Sequence, residues 1–168
     1  MSDSEERPAC FDVIHEMERE GKADAALKLL IDASGTRVLP PYDADTNHAW
    51  YVVGNIYFNR EDFGRAIAAF RRAIEDWPED IDAYLSLGNS YSEAGDPGAA
   101  RDALLKAYVI APGEPRITYN LGNAYFDLGD TRKAEFFYKS VAQANDPEVR
   151  ELADRNLARL AEDGSAEP

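Results

Sequence analysis

Between residues 47 and 148, apolar and small side chains recur every three or four positions, break at a short polar stretch, and resume. That spacing marks one face of a helix, and each interruption marks a turn between two helices. Trp50, Val53, Gly54 and Tyr57 line the first predicted helix, and Ala66, Phe70 and Ala73 line its partner, which Pro78 stops. Tyr84, Leu87, Gly88 and Tyr91, then Ala100, Leu104 and Ala107, repeat the pattern up to Pro112. Thr118, Leu121, Gly122 and Tyr125, then Ala134, Tyr138 and Val141, repeat it again up to Pro147. The segments 47–80, 81–114 and 115–148 align without a gap at a period of 34. Asp62, Asp96 and Asp130 stand where a side-chain oxygen caps the second helix, and Pro97 takes a first helical position. Gly54, Gly88 and Gly122 sit inside helices at a propensity cost of about 1 kcal/mol each. A close approach of the second helix justifies that cost, with Ala66, Ala100 and Ala134 as the small partners.

A fainter copy occupies residues 7–40, where Val13, Met17, Gly21, Ala26, Leu30 and Ala33 hold landmark places but Ile14 replaces the glycine. Helices are expected over 10–20 and 23–33, with 41–46 looped out to restore register and Pro40 and Pro41 barring a helix. Residues 147–162 read as one amphipathic helix: Val149, Leu152, Ala153, Leu157 and Leu160 share a face. Arg150, Glu151, Asp154, Arg155 and Arg159 are expected to point elsewhere. An end of a repeat stack needs such a cover, so 149–162 is assigned as a C-terminal capping helix. Residues 1–6 and 163–168 are expected to be disordered.

The three copies resemble the tetratricopeptide-repeat (TPR) family, whose pattern is W-x2-L-G-x2-Y, then A-x3-F, then P. The likeness spans 102 residues in tandem register. It implies an all-α fold, a right-handed superhelical solenoid of antiparallel helix pairs, with repeats at 47–80, 81–114 and 115–148 and a degenerate pair at 7–40. It also implies a concave groove lined by the first helix of each pair. The groove residues would be His48, Tyr51, Asn55, Phe58 and Asn59; then Asp82, Leu85, Asn89, Ser92 and Glu93; then Arg116, Tyr119, Asn123, Phe126 and Asp127. Spacings of three and four put each set on one helical face whatever the family. Asn55, Asn89 and Asn123 form a ladder of amides, each carrying donors and an acceptor for a peptide backbone. Tyr51, Phe58, Tyr119 and Phe126 add rigid aromatic area, with Leu85 between them. Family members that grip a C-terminal carboxylate use basic and amide residues at places matching Tyr51, Asn55, Ser86, Arg116 and Asn120. Only Asn55 and Arg116 agree, so that clamp is not expected.

Charge narrows the partner. The chain carries 32 acidic and 18 basic residues, a net charge of −14. Nucleic acids are poor partners for such a surface, because duplex affinity rests on Lys and Arg neutralising phosphates. Anionic membranes repel it too, and no apolar run is long enough to span a bilayer. A single cysteine, Cys10, excludes an internal disulfide and cysteine-based metal clusters. His15 and His48 have no metal-ligand spacing, and no phosphate loop is present. The expectation is therefore a cytoplasmic, non-enzymatic module without metal or cofactor, binding a protein or peptide partner in its groove. Two alternatives stand beside it. The size and flanking helices are similar to translocator chaperones of type III secretion, and the N-terminal pair could make a homo-oligomeric scaffold.

Overall fold

The computed structural model describes residues 10–141 and 146–164, and the chain forms two compact units divided after Pro78. The first unit holds α1 (Cys10–Arg19), α2 (Ala23–Leu30), a one-turn 3-10 helix (Tyr42–Ala44), α3 (Thr46–Phe58) and α4 (Phe63–Asp76). The second holds α5 (Ile81–Glu93), α6 (Pro97–Ile110), α7 (Pro115–Asp127), α8 (Thr131–Val141) and α9 (Pro147–Gly164). Each of α3/α4, α5/α6 and α7/α8 is a helix pair packed along its length. The architecture is all-α, of the TPR-like helix-pair kind closed by a terminal helix. Among the described residues the sole β contact is an isolated bridge between Ile31 and Val38.

Aspartates start most of these helices. Asp45, Asp62, Asp80 and Asp96 accept the backbone N–H three residues on, at 2.9–3.2 Å. Asp130 and Asp146 do the same for Lys133 and Val149, at 3.1 Å in both cases. Each cap satisfies a donor that the first helical turn leaves open, and its negative charge suits the helix N-terminus. Prolines end the second helices as the sequence requires. Trp77, before Pro78, turns extended (φ −137°) after α4, and Ala111, before Pro112, leaves the helical region after α6. The turns within pairs use a left-handed residue, Gly95 (φ 79°) and Gly129 (φ 76°); the matching place in the first pair is Glu61 (φ 60°), a conformation that favours glycine.

The helical glycines face a different partner from the one expected. A Cβ on Gly54 would lie 2.5 Å from the Phe70 ring, one on Gly88 2.6 Å from Leu104, and one on Gly122 2.5 Å from the Tyr138 ring. The large residue four places after each alanine takes the space, while Ala66, Ala100 and Ala134 are simply buried. Phe11, Ile14, Leu30, Val53 and Phe70 build the first core; Leu104, Ile117, Leu121, Tyr138 and Val141 build the second.

The weak copy departs from the expected helix over 23–33, because α2 stops at Leu30. Ile31 is extended (φ −131°, ψ 151°) and bridges Val38, Leu39 N–H donates to Leu30 O, and Asp32 N–H donates to Arg37 O. The Asp32 carboxylate holds the turn by accepting from the Ser34 hydroxyl and from the N–H groups of Thr36 and Arg37. The following 3-10 turn buries Tyr42 against Phe11, ring centroids 5.2 Å apart. The expected disorder over 1–6 and 165–168 falls outside the described residues, whereas residues 163 and 164, expected in the disordered tail, close α9. No described helix is long and apolar enough to cross a membrane.

Candidate functional site

In the first unit the Asn-bearing face of α3 is partly covered from within. His48 stacks on Tyr51 with centroids 6.3 Å apart, and the Phe11 edge meets His48 at 4.5 Å. Tyr51 also leans on Phe70 at 5.8 Å, and Phe58 meets Phe63 edge-on at 5.6 Å. The tyrosine and phenylalanine expected as free anchors thus share their area with the core. Asn55 is half-buried, Asn59 is exposed at the helix end, and among the described residues neither amide finds a hydrogen-bond partner for its side chain.

The second unit separates its two Asn positions sharply. On α5, Asn89 is half-buried with an unengaged amide, while Leu85 is only 7% exposed and presents little surface. On α7, Arg116 is held by Asp82 at 3.2 Å and Glu114 at 3.3 Å. Asn123 is fully employed. Its Oδ1 accepts from the Tyr138 hydroxyl (2.8 Å) and from Asn156 Nδ2 (3.1 Å), and its Nδ2 faces Asn120 Oδ1 at 3.4 Å. Asn156 Nδ2 also donates to the Tyr119 hydroxyl at 3.2 Å. Arg159, expected to point away, lies over Phe126 with its guanidinium 4.3 Å from the ring centroid, a cation–π contact. The terminal helix therefore lies against the very face of α7 that carries Tyr119, Asn123 and Phe126.

Burial pushes the Tyr138 hydroxyl well above the ordinary tyrosine range, with the neighbouring Tyr119 adding to the effect. It stays a donor, so the Tyr138–Asn123–Asn156 chain is a structural network rather than a proton path. Sequence reasoning missed Asn156 and Arg159. The signal was present, since Asn156 follows Leu152 by four and Ala153 by three and so shares their face. Among the described residues no group of three or more His, Cys, Asp or Glu side chains could hold a metal ion. The side chain of Cys10 lies outside the described ones.

Comparison with known proteins agrees with the helix-pair fold. Two family models described as "Tetratricopeptide repeat" match the chain, one over residues 18–81 and 51–115 and the other over 91–155. No curated protein matches the sequence. Among solved structures, MamA is 25% identical with a TM-score of 0.67, covering 86% of this chain and 78% of its own. The first TPR of Spaghetti (RPAP3), bound to the HSP90 peptide SRMEEVD, is 17% identical with a TM-score of 0.66, covering 74% of this chain and 97% of its own. The Yersinia enterocolitica type III secretion chaperone SycD, in complex with a peptide of the translocator YopD, is 22% identical with a TM-score of 0.63, covering 70% and 91%.

Proposed function

Because the chain belongs to the tetratricopeptide-repeat family, we propose that it is a non-enzymatic interaction module that holds a partner protein on the Asn-bearing face of a first helix, α3 in the first unit and α5 in the second. The observation that carries this reading is the contrast among three equivalent amides. Asn123 is satisfied internally by Tyr138 and Asn156, whereas Asn55 and Asn89 are half-buried and unengaged. A half-buried amide without a protein partner is a ready donor and acceptor for a peptide backbone. Tyr51, Phe58 and Asn59 flank Asn55 on its helix face, and Leu85 lies one turn from Asn89. On the third pair, Arg116, Tyr119, Asn123 and Phe126 serve the protein's own packing first. Two similar structures carry bound peptides, those of Spaghetti and SycD, and this supports a peptide as the class of ligand.

The test is affinity capture from native extract with wild type and with Asn55→Ala/Asn89→Ala, read by quantitative mass spectrometry. A partner retained by wild type and reduced at least tenfold by the variant, at unchanged helical content, supports the reading. The same proteins from both samples would overturn it. If the partner recovered were a secreted substrate, the module would narrow to a secretion chaperone. If instead nothing were lost and the mass rose with concentration, a homo-oligomeric scaffold would replace it.

A further inference from the structure

The first unit holds a second feature, on a different face of α3 from Asn55. Beside the end of α2 there is an open cleft of about 720 Å³ lined by α2, the 31–39 loop, α3 and α4. That volume falls within the roughly 300–1,000 Å³ of ordinary ligand clefts. Its apolar lining includes Leu27, Ile31, Leu39, Val53 and Ala69.

Its charge runs against the rest of the molecule. In a chain of net −14, the cleft is lined by Lys28, Arg65 and Arg72 and by a single acid, Asp32. Asp32 is already committed to the loop, through Ser34, Thr36 and Arg37. Arg72 lies over Trp50, its guanidinium 4.4 Å from the ring centroid, and donates to Gly35 O at 3.1 Å. Arg65 lies 5.5 Å from the Tyr57 centroid and pairs with Asp62 at 3.2 Å on a side chain that is 70% exposed. Both guanidinium groups are thus pre-oriented over aromatic rings, an arrangement suited to carboxylates. Seven residues separate them on α4, close to two full turns, so they share a face about 10 Å apart along the axis. One small anion cannot reach both. An extended segment rising about 3.1 Å per residue brings side chains three residues apart onto one edge at about 9 Å.

We propose that this cleft binds an extended acidic–apolar peptide segment of a partner, with two carboxylates three residues apart on Arg65 and Arg72 and apolar side chains between them against Leu39, Ala68 and the open edges of Leu27 and Ile31. The site is independent of the Asn55 and Asn89 faces.

The test uses the full chain carrying Trp77→Phe, which leaves Trp50 in the cleft as the only tryptophan. The probe is an acetylated, amidated Glu-Leu-Leu-Glu peptide, followed by Trp50 fluorescence. Saturable quenching is expected, with the Gln-Leu-Leu-Gln peptide at least tenfold weaker and Lys-Leu-Leu-Lys silent. Arg65→Gln should weaken binding three- to tenfold, and Ala68→Phe, at an exposed position on the cleft wall, should block it at unchanged helical content. Arg72→Gln removes a contact to Gly35 O, so those two other variants carry the test should it fail to fold. Equal binding of the Glu and Gln peptides overturns the proposal, as does no saturation by 10 mM peptide. Quenching by decanoate but not by the peptide would overturn it in favour of a small-amphiphile pocket.

Discussion

Gly122 touches Tyr138 so closely that a single methyl group has nowhere to go. In Gly122→Ala the new Cβ, 2.5 Å from the ring, must displace a side chain that is itself fixed to Asn123. Overpacking costs about 1–3 kcal/mol, more than the helix propensity that alanine gains. We expect urea unfolding of Gly122→Ala to show a net loss of about 1–2 kcal/mol. A gain in stability from the alanine alone would contradict the contact. The need for each glycine was legible in the sequence, but its partner was not. Spacing places Ala66 and Phe70 on the same stripe, and only the crossing of the helices decides which of them sits opposite Gly54.

At the scale of helices, α9 is tied to α7 by the Asn156 amide and by Arg159 over Phe126. Asn156→Ala removes the donor shared by Asn123 Oδ1 and the Tyr119 hydroxyl, a loss of about 1 kcal/mol. Backbone hydrogen exchange within α9 should then quicken about fivefold while α5 and α6 are unaffected. Uniform acceleration, or none, would show that the amide is not what holds α9 in place. The helices that carry three strict repeats were readable because capping aspartates, glycines and prolines all agree with the hydrophobic period. The end of α2 was not readable in this way. Ile31 and Ala33 continue the apolar rhythm, and what breaks it is a local competition in which the Asp32 carboxylate captures three donors of its own loop. The role of α9 was half readable: its apolar face was plain, but a polar residue within that face, Asn156, is silent until its partners are known.

For the whole molecule, two electrostatic effects oppose each other. A net charge of −14 makes the folded chain repel itself at neutral pH, and titration toward the pI near 4.5 relieves that repulsion. Against this, Asp24 beside Arg60, Asp32 beside the Ser34 hydroxyl and Asp130 beside Lys133 are held below the ordinary aspartate range. Groups with lowered folded values contribute stability that is fully present above the unfolded value of about 4 and is lost as the pH falls through their own. The urea midpoint should therefore rise from pH 7.5 to about 5 and fall below pH 4. Adding 0.5 M NaCl should flatten the rise, which is long-range, more than the fall, which rests on hydrogen-bonded contacts. A midpoint that declines steadily from pH 7.5 would mean that self-repulsion is negligible.

Each glycine and the large side chain that fills its notch lie sixteen positions apart within one repeat: Gly54 with Phe70, Gly88 with Leu104, Gly122 with Tyr138. No repeat borrows this fit from its neighbour, so a duplication or loss of one 34-residue block would carry its own key and lock together. Inheritance can therefore change the number of blocks in one step without breaking any of these fits. The filling residue has already drifted through phenylalanine, leucine and tyrosine, while the notch has stayed glycine in all three.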